Sequence, residues 1–443
     1  IYMAFYTIRP LLVSNNISPK SLTDEFFDYV LLGIGDLTTV SDKVSLAPQL
    51  LGELRRDFLY WYPVDLRNSA KELIPNHLMF FVFQHVAFFP KSLWPKGISA
   101  NGMMMAEGEK MSKSKGNVIT LSSALDRLGA DVVRSALMDG AEGLDDMDWR
   151  EKNAKDIEGK IQGLSNFVSN LISSTSNESG KTKDLTSVDM WLENQIQKRI
   201  RSVSANLDAM KTKSGFQEAF YSYWNDLRYY NSRVEELNPG VVLYAIDVWL
   251  KLLAPFLPYS VEEINETLGN KEMICSSKFP IEERSKVHPA AELAETLISK
   301  LVDDSNNILN LIPQKPQKLF IYVAPAWAYR LFYRLVQTRK SGEKTSETLR
   351  KFFQEYPELE KKTVSAAMTR ISKSINELGE DFLENYQAAE GFEERVVYEE
   401  SARYLKNRLN VVAAVSGGGE EVSYDPKNKA VFALPFKPAL YFE

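Results

Sequence analysis

Apolar side chains follow three successive rhythms along this chain. Up to about residue 125 they come in short, aromatic-rich runs broken by turn signals such as Gly33-Ile34-Gly35-Asp36 and Trp94-Pro95-Lys96-Gly97. Within that stretch Phe80, Phe81, Phe83, Val86, Ala87 and Phe88 recur at helical spacing and predict a buried helix. Gly102 to Ala106 predicts a short strand, and Ser122-Ser123 open a helix that the pattern carries through Leu125, Leu128, Val132 and Leu137. From Arg150 to about Ile312 the rhythm is helical almost throughout. Trp191, Leu192, Ile196 and Ile200 form one stripe, with Lys198, Arg199 and Arg201 beside it. Further helices are predicted over Phe216–Tyr230 and Val241–Phe256, the last stopping at Leu257-Pro258. Long amphipathic helices with short links describe a helix bundle.

Pro313 to Pro316 marks a boundary. Beyond it Lys318–Ala324 predicts a strand, Trp327–Val336 a helix, 344–409 a set of charged helices, and Val411–Val415 a second strand. Gly417-Gly418-Gly419 predicts a flexible turn, and two apolar pieces, Ala430–Leu434 and Ala439–Phe442, close the chain around Pro435 and Pro438. The fold class is multidomain, α/β plus all-α, with boundaries near 125/126 and 312/313.

Composition narrows the chemistry. At 443 residues the chain exceeds one ordinary core, and roughly three domains are expected. The net charge of −6 argues against a protein that coats nucleic acid indiscriminately, while leaving room for local basic surfaces. One cysteine, Cys275, and three histidines, His77, His85 and His288, exclude a disulfide framework and a Cys/His metal cluster, so no protein-bound metal is expected. The longest apolar stretch, His77 to Pro90, is interrupted by Gln84 and His85 and is too short to span a bilayer. No signal peptide is visible, which makes cytoplasmic the default location. The opening Ile1-Tyr2-Met3-Ala4-Phe5-Tyr6 is apolar, as though the chain begins inside a larger domain.

The most informative run is Lys110-Met111-Ser112-Lys113-Ser114-Lys115-Gly116-Asn117. Three ammonium groups among small hydroxyl side chains, ahead of a permissive glycine, can fold over a triphosphate and gather charge around leaving pyrophosphate. The run resembles the KMSKS signature of class I aminoacyl-tRNA synthetases. Tyr62-Pro63-Val64-Asp65-Leu66-Arg67-Asn68-Ser69-Ala70-Lys71-Glu72-Leu73-Ile74-Pro75-Asn76-His77 is similar to a segment of leucyl-tRNA synthetases of the archaeal and eukaryotic cytosolic type. Leu128-Gly129-Ala130-Asp131-Val132-Val133-Arg134 resembles the helix after the signature loop. Leu253-Ala254-Pro255-Phe256-Leu257-Pro258 resembles a helix end in the family's helical domain, and Tyr424-Asp425-Pro426 through Glu443 resembles its C-terminus.

The resemblance implies a C-terminal half: part of a Rossmann-like catalytic domain (1–125), a stem-contact region with a helical-bundle, anticodon-binding-like domain (126–312), and an α/β tRNA-binding domain (313–443). It implies ATP with Mg²⁺, leucine and tRNA(Leu) as ligands, with the N-terminal half as partner. Lys110 and Lys113 are implied as catalytic. Met111, Ser112, Ser114, Glu72 and His77 join them around ATP, and Tyr2, Phe5 and Asn76 are implied at the amino-acid pocket. Two departures stand out: Ala70 and Glu72 occupy positions where the family carries Gly and Asp.

For RNA, the window from Ser305 to Gly342 contains no Asp or Glu, yet holds Lys315, Lys318, Arg330, Arg334, Arg339 and Lys340 among six aromatics. That pattern predicts a phosphate-contacting face, with most of the aromatics expected in the core. Lys318, Arg330 and Arg334 are its candidates, and the resemblance adds Phe442 and Glu443. No His-x-Gly-His-like motif and no counterpart of the family's editing domain are present. The expected activity is therefore leucine activation and transfer to tRNA by a whole enzyme of which this chain is one half, inactive alone. The alternatives are a non-catalytic tRNA-binding module, or an isoleucyl or valyl enzyme.

Overall fold

A computed structural model of the chain describes residues 2–175, 184–342, 344–389, 391–418, 422 and 424–443, and it leaves out the side chain of Lys113. In chain order, α1 (Tyr2–Ser14), α2 (Asp24–Phe27), α3 (Leu37–Val44) and α4 (Pro48–Trp61) precede β1 (Arg67–Ala70), α5 (Met79–Phe88), β2 (Ile98–Asn101), β3 (Met104–Ala106) and β4 (Glu109–Lys110). Next come α6 (Leu121–Leu128), α7 (Ala130–Gly140) and β5 (Met147–Trp149). The helices α8 (Glu151–Thr175), α9 (Ser187–Asp208), α10 (Thr212–Gln217), α11 (Tyr223–Arg233), α12 (Pro239–Leu253), α13 (Pro258–Thr267) and α14 (Pro289–Leu309) follow. The last part holds β6 (Lys318–Pro325), α15 (Ala326–Ser341), α16 (Thr345–Glu355), α17 (Lys361–Glu377), α18 (Glu380–Ala388), α19 (Glu394–Glu400), α20 (Ala402–Leu409), β7 (Val412–Gly418) and β8 (Ala439–Phe442). Two compact units emerge, each from three stretches of chain. One takes 1–166, 202–220 and 253–277; the other takes 167–201, 221–252 and 278–443.

In the first unit α1 buries Ala4, Ile8 and Leu12, spaced one turn apart, in a core shared with Leu51, Leu54 and Phe58 of α4. β1 and β2 pair in parallel, from Arg67↔Ile98 to Ala70↔Asn101, with α5 as the crossover. The helix expected at 80–88 forms, but it is not buried. Phe81 and His85 face inward, while Phe80, Phe83 and Phe88 are 62%, 63% and 55% exposed. His85 is a packing residue: its Nδ1 donates to the Phe81 carbonyl at 2.7 Å, its Nε2 lies 3.2 Å from the Tyr62 hydroxyl, and burial lowers its pKa.

A second sheet runs β4-β3-β5, with β3 antiparallel to β4 and parallel to β5. The strand expected over Gly102–Ala106 begins only at Met104. The helix expected from Ser122 through Leu137 breaks in two, because Gly129 adopts φ 77° and ψ 165° and separates α6 from α7. The apolar pattern runs across this break because both helices feed one core containing Leu128, Val132 and Trp149.

The second unit holds the stripe expected on α9: Trp191, Leu192, Ile196 and Ile200 are all buried. The cations beside it are paired, Lys198 with Glu292, Arg199 with Asp226 and Arg201 with Glu282. In the C-terminal sheet, β6 lies between β7 (parallel) and β8 (antiparallel). Its core gathers Leu319 and Ile321 of β6, Leu331 and Phe332 of α15, and Leu297, Ile298 and Leu301 of α14. Gly417 and Gly418 continue β7 instead of forming a turn, and Gly419 lies outside the described residues.

Candidate active site at a lysine hairpin and the turn after β1

The lysine run is presented by a tight hairpin. β3 and β4 are joined by Glu107-Gly108, with φ of 51° and 82°, the two positive values that a type I′ turn requires and whose twist suits a hairpin. After β4 the chain makes a 3-10 turn at Lys113–Lys115, and Gly116 leaves it at φ 70°. Asn117 fastens the loop by its side chain. Its Oδ1 accepts the Ser112 amide at 2.8 Å and its Nδ2 donates to the Lys110 carbonyl at 3.2 Å. Ser112 and Ser114 share a hydroxyl hydrogen bond of 2.7 Å, and Met111 is half-buried beside them. Lys115 is engaged by Glu109 at 3.0 Å, both ends being well exposed, so the pair is weak and open to exchange for phosphate. Lys110 is exposed, and its ammonium has no acceptor among the described residues.

The hairpin is gripped by β5. Asp148 accepts the Gly108 amide at 2.7 Å and Arg150 Nε at 2.8 Å, and these bonds, the amide first, hold its carboxyl below the usual range. Asp146 accepts the Met103 amide at 2.7 Å and meets Lys71 Nζ at 2.6 Å; Lys71 first, then the amide, lowers its pKa.

After β1 the chain makes a 3-10 turn at Lys71–Leu73 and a π turn at Ile74–Leu78, a widened geometry that recurs at functional sites. Glu72 is exposed, and its carboxylate has no partner among the described residues. Asn76 accepts the His77 amide with its Oδ1, and its Nδ2 lies 3.5 Å from the Glu72 carbonyl. His77 Nε2 lies 3.3 Å from Arg67 Nη2, and because a guanidinium only donates, Nε2 is the acceptor of this contact. Ala70 sits at φ −88° and ψ 150°, extended backbone that a Cβ does not strain.

Tyr2 and Phe5 line one apolar cavity of about 450 Å³ with Leu31, Leu32 and Phe88, and Asp28 is its one charged wall. Asn76 is not part of that cavity. A second apolar groove, of about 560 Å³, runs beside its turn along Ile74, Leu78, Val82 and Phe83.

Residues 60–176 match the family model described as tRNA synthetases class I (M), and residues 189–321 match the anticodon-binding domain of tRNA ligase. The leucine–tRNA ligase of Methanosarcina acetivorans is 34% identical over 449 residues, covering 100% of this chain and 46% of its own. Those of Aeropyrum pernix (34%) and Pyrococcus furiosus (32%) each cover 100% of this chain and 45% of their own. The chain is homologous to the C-terminal portion of leucine–tRNA ligases. It spans about half the length of these relatives. A LeuRS solved in a ternary complex with tRNA and LeuAMS, from Agrobacterium radiobacter, aligns loosely in space, over 68% of this chain and 34% of its own, with 16% identity and a TM-score of 0.47.

In this leucine–tRNA ligase homologue two arginines of the acid-free window are neutralised from neighbouring helices. Arg334 pairs with Glu355 and Arg339 with Glu380, both at 2.6 Å, and Arg330 lies over the Tyr356 ring at 5.1 Å. Lys318 is exposed and has no acidic partner among the described residues. Most of the window's aromatics belong to the core or pack against it; Tyr322 and Phe332 are fully buried. On β8, Phe442 packs against the core, while Tyr441 faces Phe320 at 6.0 Å. Glu443 bonds back to β6 through its main chain, and its carboxylate accepts the Tyr424 hydroxyl at 2.7 Å. The residues that sequence reasoning missed are Asn117, Arg67, Lys71, Asp146 and Asp148. The i, i+2 spacing of Asp148 in β5 and Asp146 just before it was the available signal for two of them.

Proposed function

We propose that this chain, together with the N-terminal portion of a leucine–tRNA ligase, joins leucine to ATP and transfers it to tRNA(Leu). The observation that carries this reading is the intact lysine hairpin, with Lys110 open to solvent, in a chain homologous to these ligases along its whole length. Lys110 and Lys113 neutralise charge on the departing pyrophosphate as it develops. Ser112, Ser114 and the main chain at Met111 shape the loop around the phosphates. Glu72 accepts hydrogen bonds from the ribose hydroxyls, with His77 beside it, and the extended backbone at Ala70 supports this despite the added methyl. Mg²⁺ enters with ATP as its phosphate counter-ion. Tyr2 and Phe5 on one side, and Asn76 on the other, are the amino-acid contacts.

Residues 126–312 and 313–443 form the tRNA-docking part, with Lys318, Arg330, Arg334, Phe442 and Glu443 as contacts. Arg334 exchanges Glu355 for phosphate, and Arg330 turns from the Tyr356 ring to a phosphate. Among the described residues no helix is long and apolar enough to cross a membrane, and the proposed setting is the cytoplasm. Leucine-dependent ATP–pyrophosphate exchange tests the reading. With the N-terminal portion present, Lys110→Ala and Lys113→Ala each lower kcat by about a hundredfold or more. The chain alone gives no exchange. Activity of the chain alone, or full activity in the lysine variants, would overturn it.

A further inference from the structure

One carboxylate oxygen touches both parts of the proposed ATP site. Asp146 Oδ1 accepts the Met103 amide at 2.7 Å, at the root of the lysine hairpin, and lies 2.6 Å from Lys71 Nζ. Lys71 stands directly before Glu72 and also donates to the Leu144 carbonyl at 3.1 Å. The 143–147 segment thus lies between the turn after β1 and the hairpin root. Gly102 N donates to the Gly143 carbonyl at 3.2 Å, and Met147 N to the Met103 carbonyl at 2.9 Å. A Cβ on Gly102 would come within 1.9 Å of the Asp145 carbonyl oxygen, so the hairpin root fits against this segment only as glycine.

A hairpin with strands of three and two residues does not hold its own position; isolated two-stranded hairpins are marginal in water. Its tip is held by Asp148, which belongs to the same small sheet. Its root is the end that a side-chain bridge joins to the Glu72 turn. We propose that the Lys71–Asp146 pair is a positioning tie that sets the lysine hairpin in register with the Glu72 turn, so that phosphate and ribose are gripped at a fixed separation. Its catalytic consequence rests on the ATP reading above; the tie itself rests on geometry. Both side chains are about one-third exposed, 34% and 39%, so the tie can loosen and re-form as the loop moves.

Two measurements test it. In the chain itself, Lys71→Met speeds amide hydrogen exchange over residues 103–110 by about tenfold. Lys71→Arg, which keeps a donor cation, leaves exchange near wild type; in an Asp146→Ala background, which frees the Met103 amide as well, Lys71→Met adds little because the Lys71–Asp146 link is already gone. Unchanged exchange in Lys71→Met overturns the tie, whatever the activity. With the N-terminal portion present, Lys71→Met lowers the kcat of leucine-dependent pyrophosphate exchange by about 10- to 100-fold, while the ATP KM moves by about threefold or less. Lys71→Arg restores most of the kcat. Faster hydrogen exchange with an unchanged kcat would overturn the positioning role. A wild type without pyrophosphate exchange would sink the ATP reading and leave the hydrogen-exchange result to decide the tie.

Discussion

Arg233 and Glu295 show how much one pair can matter. Their side chains are 6% and 3% exposed, the two guanidinium nitrogens each meet the carboxylate at 2.6 Å, and Tyr229 and Ser401 complete the shell. Removing one partner strands the other charge in low dielectric, so Arg233→Met is expected to cost about 3–5 kcal/mol in a denaturant titration. Glu394 is the complementary case. Burial pushes its carboxyl up to about 7, against bonds from the Tyr329 and Tyr398 hydroxyls and the Phe436 amide. A folded pKa above the ordinary 4.5 means that stability is fully present below about that pH and is lost as pH rises through 7. Glu394→Gln is expected to flatten stability against pH in that window; an unchanged curve would show the slope arises elsewhere. At this scale the sequence announces groups that act through local order, such as Lys110 to Asn117, and conceals those that act through pairing. Nothing near Lys71 names Asp146, and nothing near Arg334 names Glu355.

Elements were legible where periodicity decides and illegible where one backbone angle does. The helix over 80–88 forms as expected, but period alone does not say which apolar residues are covered, because apolar residues outside Gln84 and His85 fall on every face of this segment. Phe83→Ser is therefore expected to shift stability by about 0.5 kcal/mol or less, while improving solubility in a sedimentation assay. At Gly129 the hydrophobic rhythm is uninterrupted, and only the φ of 77° with ψ of 165° divides α6 from α7. That region is almost closed to other residues, so Gly129→Ala is expected to cost about 1–3 kcal/mol by thermal melting, although a Cβ there would meet no atom within 4 Å. The strand order of the C-terminal sheet lay beyond pattern reading, since alternation gives the faces of a strand and not its neighbours.

Across the whole molecule, each unit is pieced together from three stretches, an arrangement no linear reading of domains anticipates. The prolines near 313 fall in the stretch between α14 and β6. Even so, Leu297, Ile298, Leu301 and Val302 of α14 lie in the core completed by β6 and α15. A chain ended at residue 312 is expected to expose that face and aggregate, which size-exclusion chromatography would show; a clean monomer would contradict the shared core. The grip of β5 on the lysine hairpin also carries a consequence in time. Synthesis runs from the N-terminus, and the strand that holds β3 is made only after α6 and α7 have been translated. On the ribosome, therefore, the loop proposed to close on ATP emerges first and stays unsupported until Asp146 and Asp148 follow it out of the exit tunnel. A ribosome stalled between them would display a chain with every lysine in place and no hairpin to aim them.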